Sequence, residues 1–263
     1  MMTDPDWIER MRTAVITIGL FIVFGVAAYA LFQEFRGAAE GPRISRVPQA
    51  LPVPEYDFAY SSNKSGDFDI YLATLDRGLE LRLTDHPLGE SGPAWSLDGT
   101  LIAYSIMGNA GSDIWVTAVS EGEARAVTSE AGDEYGPTWS RDGTKLAFTN
   151  DDSIIEVVNL DGSGRQPLTD GSASDFHPAW SPDGARIAYA HNAGEHENSD
   201  IWVMDSSGAS KEAVTHLDGS EQFPAWSPDS EMIAFVDNSG QIYLVHLRDR
   251  SVRQLTNDQT RKG

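Results

Sequence analysis

Histidine and carboxylate side chains carry most of the chemistry open to this chain, which holds six His, 40 Asp+Glu and no Cys. His86, His177 and His216 fall in short polar segments that follow an aliphatic–Thr pair, and His191 and His196 fall in a second kind of polar segment. Imidazoles gathered in one place could hold a divalent metal, or serve an enzyme or a sugar-binding sensor. Their spacing fits no metal motif, so no metal site and no cofactor is assigned. The absence of Cys excludes thiolate nucleophiles, iron–sulfur ligation and a disulfide framework. There is no Gly-x-Ser-x-Gly elbow. The acids are so many that pairs arise by chance, and none stands out as a glycosidase pair. No catalytic residue is assigned, and the chain is read as a non-enzyme.

The acids themselves are the stronger signal. Against 19 Lys+Arg they give a net charge of −21. Residues 1–46 are balanced, with five Arg and five acids, so the excess belongs to residues 47–263, with 14 bases and 35 acids. Such a chain cannot displace counterions from nucleic acid. Its 40% hydrophobic content supports a folded core rather than a solvated acidic tail. Four eight-residue segments, 85–92, 129–136, 170–177 and 216–223, contain Asp85, Glu90, Glu130, Asp133, Glu134, Asp170, Asp175, Asp218 and Glu221 and no Lys or Arg. These nine carboxylates have three uses open to them. They could form a solvated rim. They could dock a basic protein partner with electrostatic steering. They could bind Ca²⁺, although no EF-hand spacing is present.

The elements that position these segments come from an internal repeat. Pro93-Ala94-Trp95-Ser96 recurs around Trp139, Trp180 and Trp226, at Trp spacings of 44, 41 and 46 residues. An Asp-Gly turn follows each Trp, at Asp98-Gly99, Asp142-Gly143 and Asp183-Gly184, and degenerates to Asp229-Ser230 in the last copy. Next comes an Ile-Ala-Tyr strand in five versions, beginning at Phe58, Ile102, Leu146, Ile187 and Ile233. An Asp-Ile-aromatic strand (Asp69, Asp113, Asp200) and an aliphatic–Thr pair (Thr84, Thr128, Thr169, Thr215, Thr256) complete the unit. Each copy therefore holds four short β-branched runs separated by turn residues, a four-stranded antiparallel sheet. One such sheet cannot bury both faces alone, so five copies stack into a five-bladed β-propeller. Trp95, Trp139, Trp180 and Trp226 are expected to pack between blades. A row of Trp lining a ligand site is the alternative.

The P-A-W-S-P-D-G…I-A-Y…D-I-W-V-M…L-T pattern resembles the WD-like propeller repeat of the TolB family over about residues 49–263. The resemblance implies a periplasmic propeller that binds protein partners and does no catalysis itself. The family's parent protein has six blades, a separate N-terminal domain and no membrane helix, whereas this chain shows five copies. The first copy has Leu51 in place of its Trp. Ring closure is expected to rest on residues 49–53 as the inner strand of blade 1, or on packing of blade 5 against blade 1. A six-bladed ring, or an open ring completed by a partner, stays open.

In a propeller the four acidic segments join one blade's outer strand to the next blade's inner strand, and all lie on one face. Asp67, Asp151, Asp152, Glu195 and Glu197 join them there, against only Lys64. Arg77, Arg82, Arg125, Arg141, Lys145, Arg165, Arg186, Lys211, Arg248, Arg250 and Arg253 are expected near the opposite hairpin turns.

The N-terminus has a different character. Residues 1–12 are a leader, and residues 13–33 are 21 uncharged, mostly apolar positions, long enough for one transmembrane α-helix. Ala28-Tyr29-Ala30 resembles a signal-peptide cleavage site, but the run is longer than a signal core. The reading is an uncleaved single-pass anchor, followed by a Pro-rich linker over 34–48. Two Arg before the span and three after it leave the positive-inside rule nearly tied. A short leader favours an extracytoplasmic (periplasmic) propeller. The linker would enter on the acidic face, turning it toward a bilayer whose anionic lipids repel it, and a basic, membrane-embedded protein partner fits better. The expected role is a protein-interaction or stabilising subunit of a respiratory, photosynthetic or envelope complex.

Overall fold

The computed structural model describes residues 56–108, 111–120, 124–194 and 198–257. The apolar span at 13–33, the linker and residues 49–53 lie outside these. The described chain is all-β, with 19 strands in five antiparallel sheets. Blade 1 contains β1 (Phe58–Ser62), β2 (Asp69–Ala73) and β3 (Glu80–Arg82). Blade 2 contains β4 (Glu90–Trp95), β5 (Leu101–Met107), β6 (Ser112–Ala118) and β7 (Ala124–Ala126). Blade 3 contains β8 (Tyr135–Trp139), β9 (Lys145–Thr149), β10 (Ile155–Asn159) and β11 (Gln166–Pro167). Blade 4 contains β12 (Ser174–Trp180), β13 (Arg186–Asn192), β14 (Asp200–Asp205) and β15 (Glu212–Ala213). Blade 5 contains β16 (Glu221–Trp226), β17 (Met232–Asp237), β18 (Ile242–His246) and β19 (Val252–Gln254). Strands follow one another across each sheet, the up-and-down order of a propeller blade.

Local chemistry closes each inner hairpin in the same way. Asp98 accepts from the Ser96 hydroxyl (2.7 Å) and the Thr100 amide (3.1 Å), while Gly99 takes φ 71°. Asp142 and Asp183 repeat this with Ser140 and Ser181. The degenerate copy keeps the turn with Ser230 at φ 61°. The serine has a use there, because its buried hydroxyl accepts the Asp183 amide of the neighbouring blade at 3.1 Å. Each inner strand also carries a β-bulge, at Gly92, Gly136, His177 and Phe223 (φ 55–63°), just before its proline.

The core lies between blades, not within them. Ile70 and Leu72 of blade 1 meet Ile102 and Tyr104 of blade 2. Ile114 and Val116 meet Leu146 and Phe148; Ile155 and Val157 meet Ile187 and Tyr189; Ile201 and Val203 meet Ile233 and Phe235. Trp139 and Trp226 are buried in these seams, and their indoles donate to the Ala94 and Ala179 carbonyls of the preceding blade at 2.9 and 2.8 Å. Trp95 and Trp180 are half-buried at seam edges, with Trp180 donating to Gly184 in its own turn at 3.2 Å.

Candidate docking face

The aliphatic–Thr pair is a joint that builds the face carrying the acidic segments. Thr84, Thr128, Thr169, Thr215 and Thr256 accept the amides of Ile70, Ile114, Ile155, Ile201 and Ile242, at 2.8–3.0 Å. Each hydroxyl then has a proton to give. Thr84 donates to Glu90 and Thr215 to Glu221, the first residues of the next inner strands. Thr128 donates to Asp113 at 3.4 Å, and Thr128 beside Glu134 and Thr169 beside Asp175 work against burial to favour the charged carboxylates.

This splits the nine predicted carboxylates in two. Glu90, Glu134, Asp175 and Glu221 are 1%, 1%, 4% and 0% exposed, so they are joints between blades and not part of a docking surface. Burial pushes all four carboxyls up, Glu90 to about 7. Asp85, Glu130, Asp133, Asp170 and Asp218 are exposed. Asp133 accepts the Ser112 amide (2.8 Å), and Asp170 caps its own turn through Ser172, which holds its carboxyl below the usual range. Glu195, His196 and Glu197 lie outside the described residues.

Two bases expected on the opposite face are found among these acids. Arg82 forks onto buried Asp69 at 2.9 Å and reaches exposed Asp85 at 2.6 Å. Arg165 lies over the Phe148 ring and bridges Glu156 (2.6 Å), Glu134 (2.9 Å) and Glu130 (3.3 Å). Both start near a blade's outer edge, and their long apolar stems lie along the blade before the guanidinium emerges among the acids. Other arginines tie blades together elsewhere. Arg125 donates to Leu160 O (2.7 Å), Arg186 to Ser230 O (2.7 Å), Arg141 to Pro182 O and Arg250 to Ala213 O.

The described histidines do not converge on a metal site. His86 tilts toward Trp115 and accepts the Leu88 amide at 3.2 Å. His177 sits on its bulge against the Phe223 ring, with centroids 3.9 Å apart, and desolvation lowers its pKa to about 4. His191 pairs with Asp175 at 2.6 Å and packs on Trp202. His216 is exposed, 3.4 Å from Asp200. Among the described residues no three His, Asp or Glu side chains form a group able to hold a metal. A shallow cavity of about 240 Å³ between blades 3 and 4 is lined by Asp152, residues 171–174 and residues 192–194, with no aromatic ring for a sugar to stack on.

Five antiparallel repeats, four of them four-stranded among the described residues, stacked through inter-blade Trp and Ile-Ala-Tyr cores define a WD-like β-propeller. The chain matches the TolB beta propeller domain family over residues 33–175 and 152–262, and it belongs to that family. Among solved structures it is similar to TolB from Acinetobacter baumannii, at a TM-score of 0.65 and 23% identity over 76% of this chain and 51% of that one. It thus spans about half the length of that relative. It is similar to a protein assigned as TolB from Agrobacterium tumefaciens, at TM-score 0.65 and 22% identity, covering 72% and 73% of the two chains. It is also similar to an oligogalacturonate lyase in complex with manganese, at TM-score 0.56 and 20% identity, covering 75% and 61%. These likenesses share the fold alone. No curated protein matches the chain.

Proposed function

We propose that this protein is a single-pass, membrane-anchored propeller that serves as an interaction or stabilising subunit of a membrane-associated complex, respiratory, photosynthetic or of the envelope, and that it is not an enzyme. Its propeller is extracytoplasmic. The observation that carries the reading is the exposed set Asp85, Glu130, Asp133, Asp170 and Asp218 on one face, around buried acids already committed to Thr joints. A basic protein surface is the complement of that set, and steering by its field would favour encounter. Membership of the TolB propeller family supports a binding role.

The experiment is co-purification from mild detergent, with the partner identified and its binding then measured against salt. Glu130→Gln, Asp133→Asn, Asp170→Asn and Asp218→Asn, combined, remove four charges while keeping hydrogen-bond acceptors. Binding should fall at least ten-fold at low salt and lose most of its salt dependence. Unchanged affinity and salt slope would refute the docking face. In the alternative reading, a propeller enzyme or sugar-binding sensor uses the His-bearing mouth. It predicts heat on metal titration that His177→Ala abolishes.

A further inference from the structure

Three departures from the repeat meet at one point on the face that bears the exposed acids. Phe68, Ser112, Ser153 and Ser199 are equivalent, since their carbonyls accept the amides of the four buried acids, Glu90, Glu134, Asp175 and Glu221, at 2.7–2.8 Å. Phe68 alone of these is large and apolar. Met107 stands five residues after Ile102. At that distance from Phe58, Leu146, Ile187 and Ile233 the other blades have Asn63, Asp151, Asn192 and Asn238. Gly89 precedes Glu90, where Asp133, Ser174 and Ser220 precede the other three acids. A Cβ placed on Gly89 would lie 3.8 Å from Phe68 Cβ and 3.9 Å from Met107 Cε. With no side chain there, Phe68 and Met107 flank a notch over bare backbone. Both are exposed, Phe68 by 43% and Met107 by 60%. The other exposed large apolar residues among the described residues, such as Leu79 and Leu97, lie in hairpin turns of the opposite face or on outer strands. Leu88 and Ile106, beside Gly89 and Met107 in sequence, belong to the apolar cluster between blades 1 and 2, so the exposed pair caps that seam. Exposed carboxylates stand on either side. Asp67 adjoins Phe68, and Asp133 accepts the amide of Ser112, which pairs with Met107. Lys64, the base of the Asp67 loop, is held on Glu80 and lies 3.6 Å from the Tyr71 ring centroid.

We propose that this notch takes an aromatic or long aliphatic side chain of a basic protein segment, whose flanking Lys or Arg residues reach Asp67 and Asp133. The proposal deepens the docking reading of this face and rests on it. The acidic field acts at a distance and draws a basic surface toward the disc. It does not choose among blades of similar charge. An apolar anchor in a desolvated notch with a polar rim is the short-range contact that fixes one orientation. A lipid surface would also accept a phenyl ring and a thioether, but the carboxylates on either side repel anionic headgroups. Charge complementarity therefore favours a basic protein segment as the occupant.

The probes are two synthetic peptides, Lys-Lys-Phe-Lys-Lys and Lys-Lys-Ala-Lys-Lys, titrated by calorimetry into full-length protein in neutral-lipid nanodiscs. The Phe peptide should bind about ten-fold more tightly than the Ala peptide. With methyl-labelled methionine, it should also shift the Met107 methyl resonance. Phe68→Ser combined with Met107→Asn installs residue types that other blades use, and should erase the preference while leaving the Ala peptide's affinity unchanged. Gly89→Ser fills the notch and keeps both walls. Its Cβ meets its neighbours at ordinary contact distances, so the fold is retained and the Phe peptide alone should weaken. Asp67→Asn with Asp133→Asn should weaken both peptides alike. Equal affinity of the two peptides for the wild type, or a preference that survives both notch variants, overturns the proposal. A preference that persists while the two Asn substitutions change nothing supports the notch and refutes the acidic docking reading. Capture of the protein by phosphatidylglycerol vesicles, abolished by the notch variants, overturns the proposal in favour of a lipid surface.

Discussion

Replacing Thr215 by Val keeps its shape and removes its hydroxyl, which isolates the joint between blades 4 and 5. Thr215 is 2% exposed and Glu221 is 0% exposed. The hydroxyl accepts the Ile201 amide at 2.8 Å and donates to Glu221, whose other donors are the amides of Leu217 (2.9 Å) and Ile201 (3.3 Å). The variant leaves a buried amide with only its longer bond and a buried carboxylate with one donor fewer. An unsatisfied buried group costs about 1–3 kcal/mol, and a bond to a charged group is worth about 1.5–3. Partial compensation by the remaining donors brings the expected loss to roughly 3 kcal/mol, or a fall in Tm of about 6–10 °C at this chain length. Thr256 provides an internal control. It accepts the Ile242 amide at 2.8 Å in the same way, but it is exposed and water can replace it, so Thr256→Val should cost less than about 1 kcal/mol. The two variants are compared by urea unfolding at pH 5 and pH 8. Burial raises the Glu221 carboxyl above its unfolded value. Its contribution to stability is therefore full below the unfolded pKa and is lost as pH rises through the folded one. Removing a donor raises the folded pKa further, so the loss in Thr215→Val must be larger at pH 8 than at pH 5. Equal losses for the two threonines, or a loss independent of pH, would refute the joint.

Two further outcomes follow from the same face. Glu90 is 1% exposed and its carboxyl is pushed up from 4.5 to about 7 by burial, so ionising it in the folded state opposes folding by about 3 kcal/mol at pH 8. Wild-type stability should fall as pH rises from 4.5 to 7, and Glu90→Gln should flatten that slope in urea midpoints taken across the range; an unchanged slope assigns the titration elsewhere. Arg165→Met should destabilise by about 3–5 kcal/mol, because it leaves Glu134 and Glu156 as buried or half-buried carboxylates without their cation. Pairing it with Glu134→Gln and Glu156→Gln should recover most of that loss in thermal melts, and no recovery would mean that the Arg165 stem packing matters more than its charge.

The blades were legible because packing and turn chemistry act within a few residues. Trp, Asp-Gly and Ile-Ala-Tyr mark strand, turn and strand at nearly fixed intervals, and tight turns admit few residue types. The carboxylates were harder. Glu90 and Asp85 share a polar segment, and nothing in composition says that one side chain turns inward to a threonine while the other meets solvent. Arg82 and Arg165 were placed by the position of their Cα atoms, whereas their charge acts at the end of a long stem. A usable signal was present in the intervals. Thr84–Glu90, Thr128–Glu134, Thr169–Asp175 and Thr215–Glu221 are each six residues apart, and of the nine carboxylates in the four segments those four are the buried ones. Solvated acids have no reason to keep a register.

That distinction separates structure from function on this face. A residue that repeats in register from blade to blade answers a need that every blade has, here the satisfaction of a buried amide and the anchoring of the next inner strand. A single partner meets the disc in one orientation and has no five-fold symmetry to match. Recognition must therefore come from what the blades do not share. Three of the exposed acids break the repeat in this sense, Glu130 and Asp133 lying two and five residues beyond their threonine and Asp218 three beyond its own, while Asp85 and Asp170 share the position directly after theirs. Arg82 draws Asp85 and Arg165 draws Glu130 into ion pairs, which partly neutralises them. Asp133, Asp170 and Asp218 carry no such arginine among the described residues. Lys211 acts on Asp170 from nearby, so the least compensated charges are Asp133 and Asp218, and the charge variants that matter most for binding are those two.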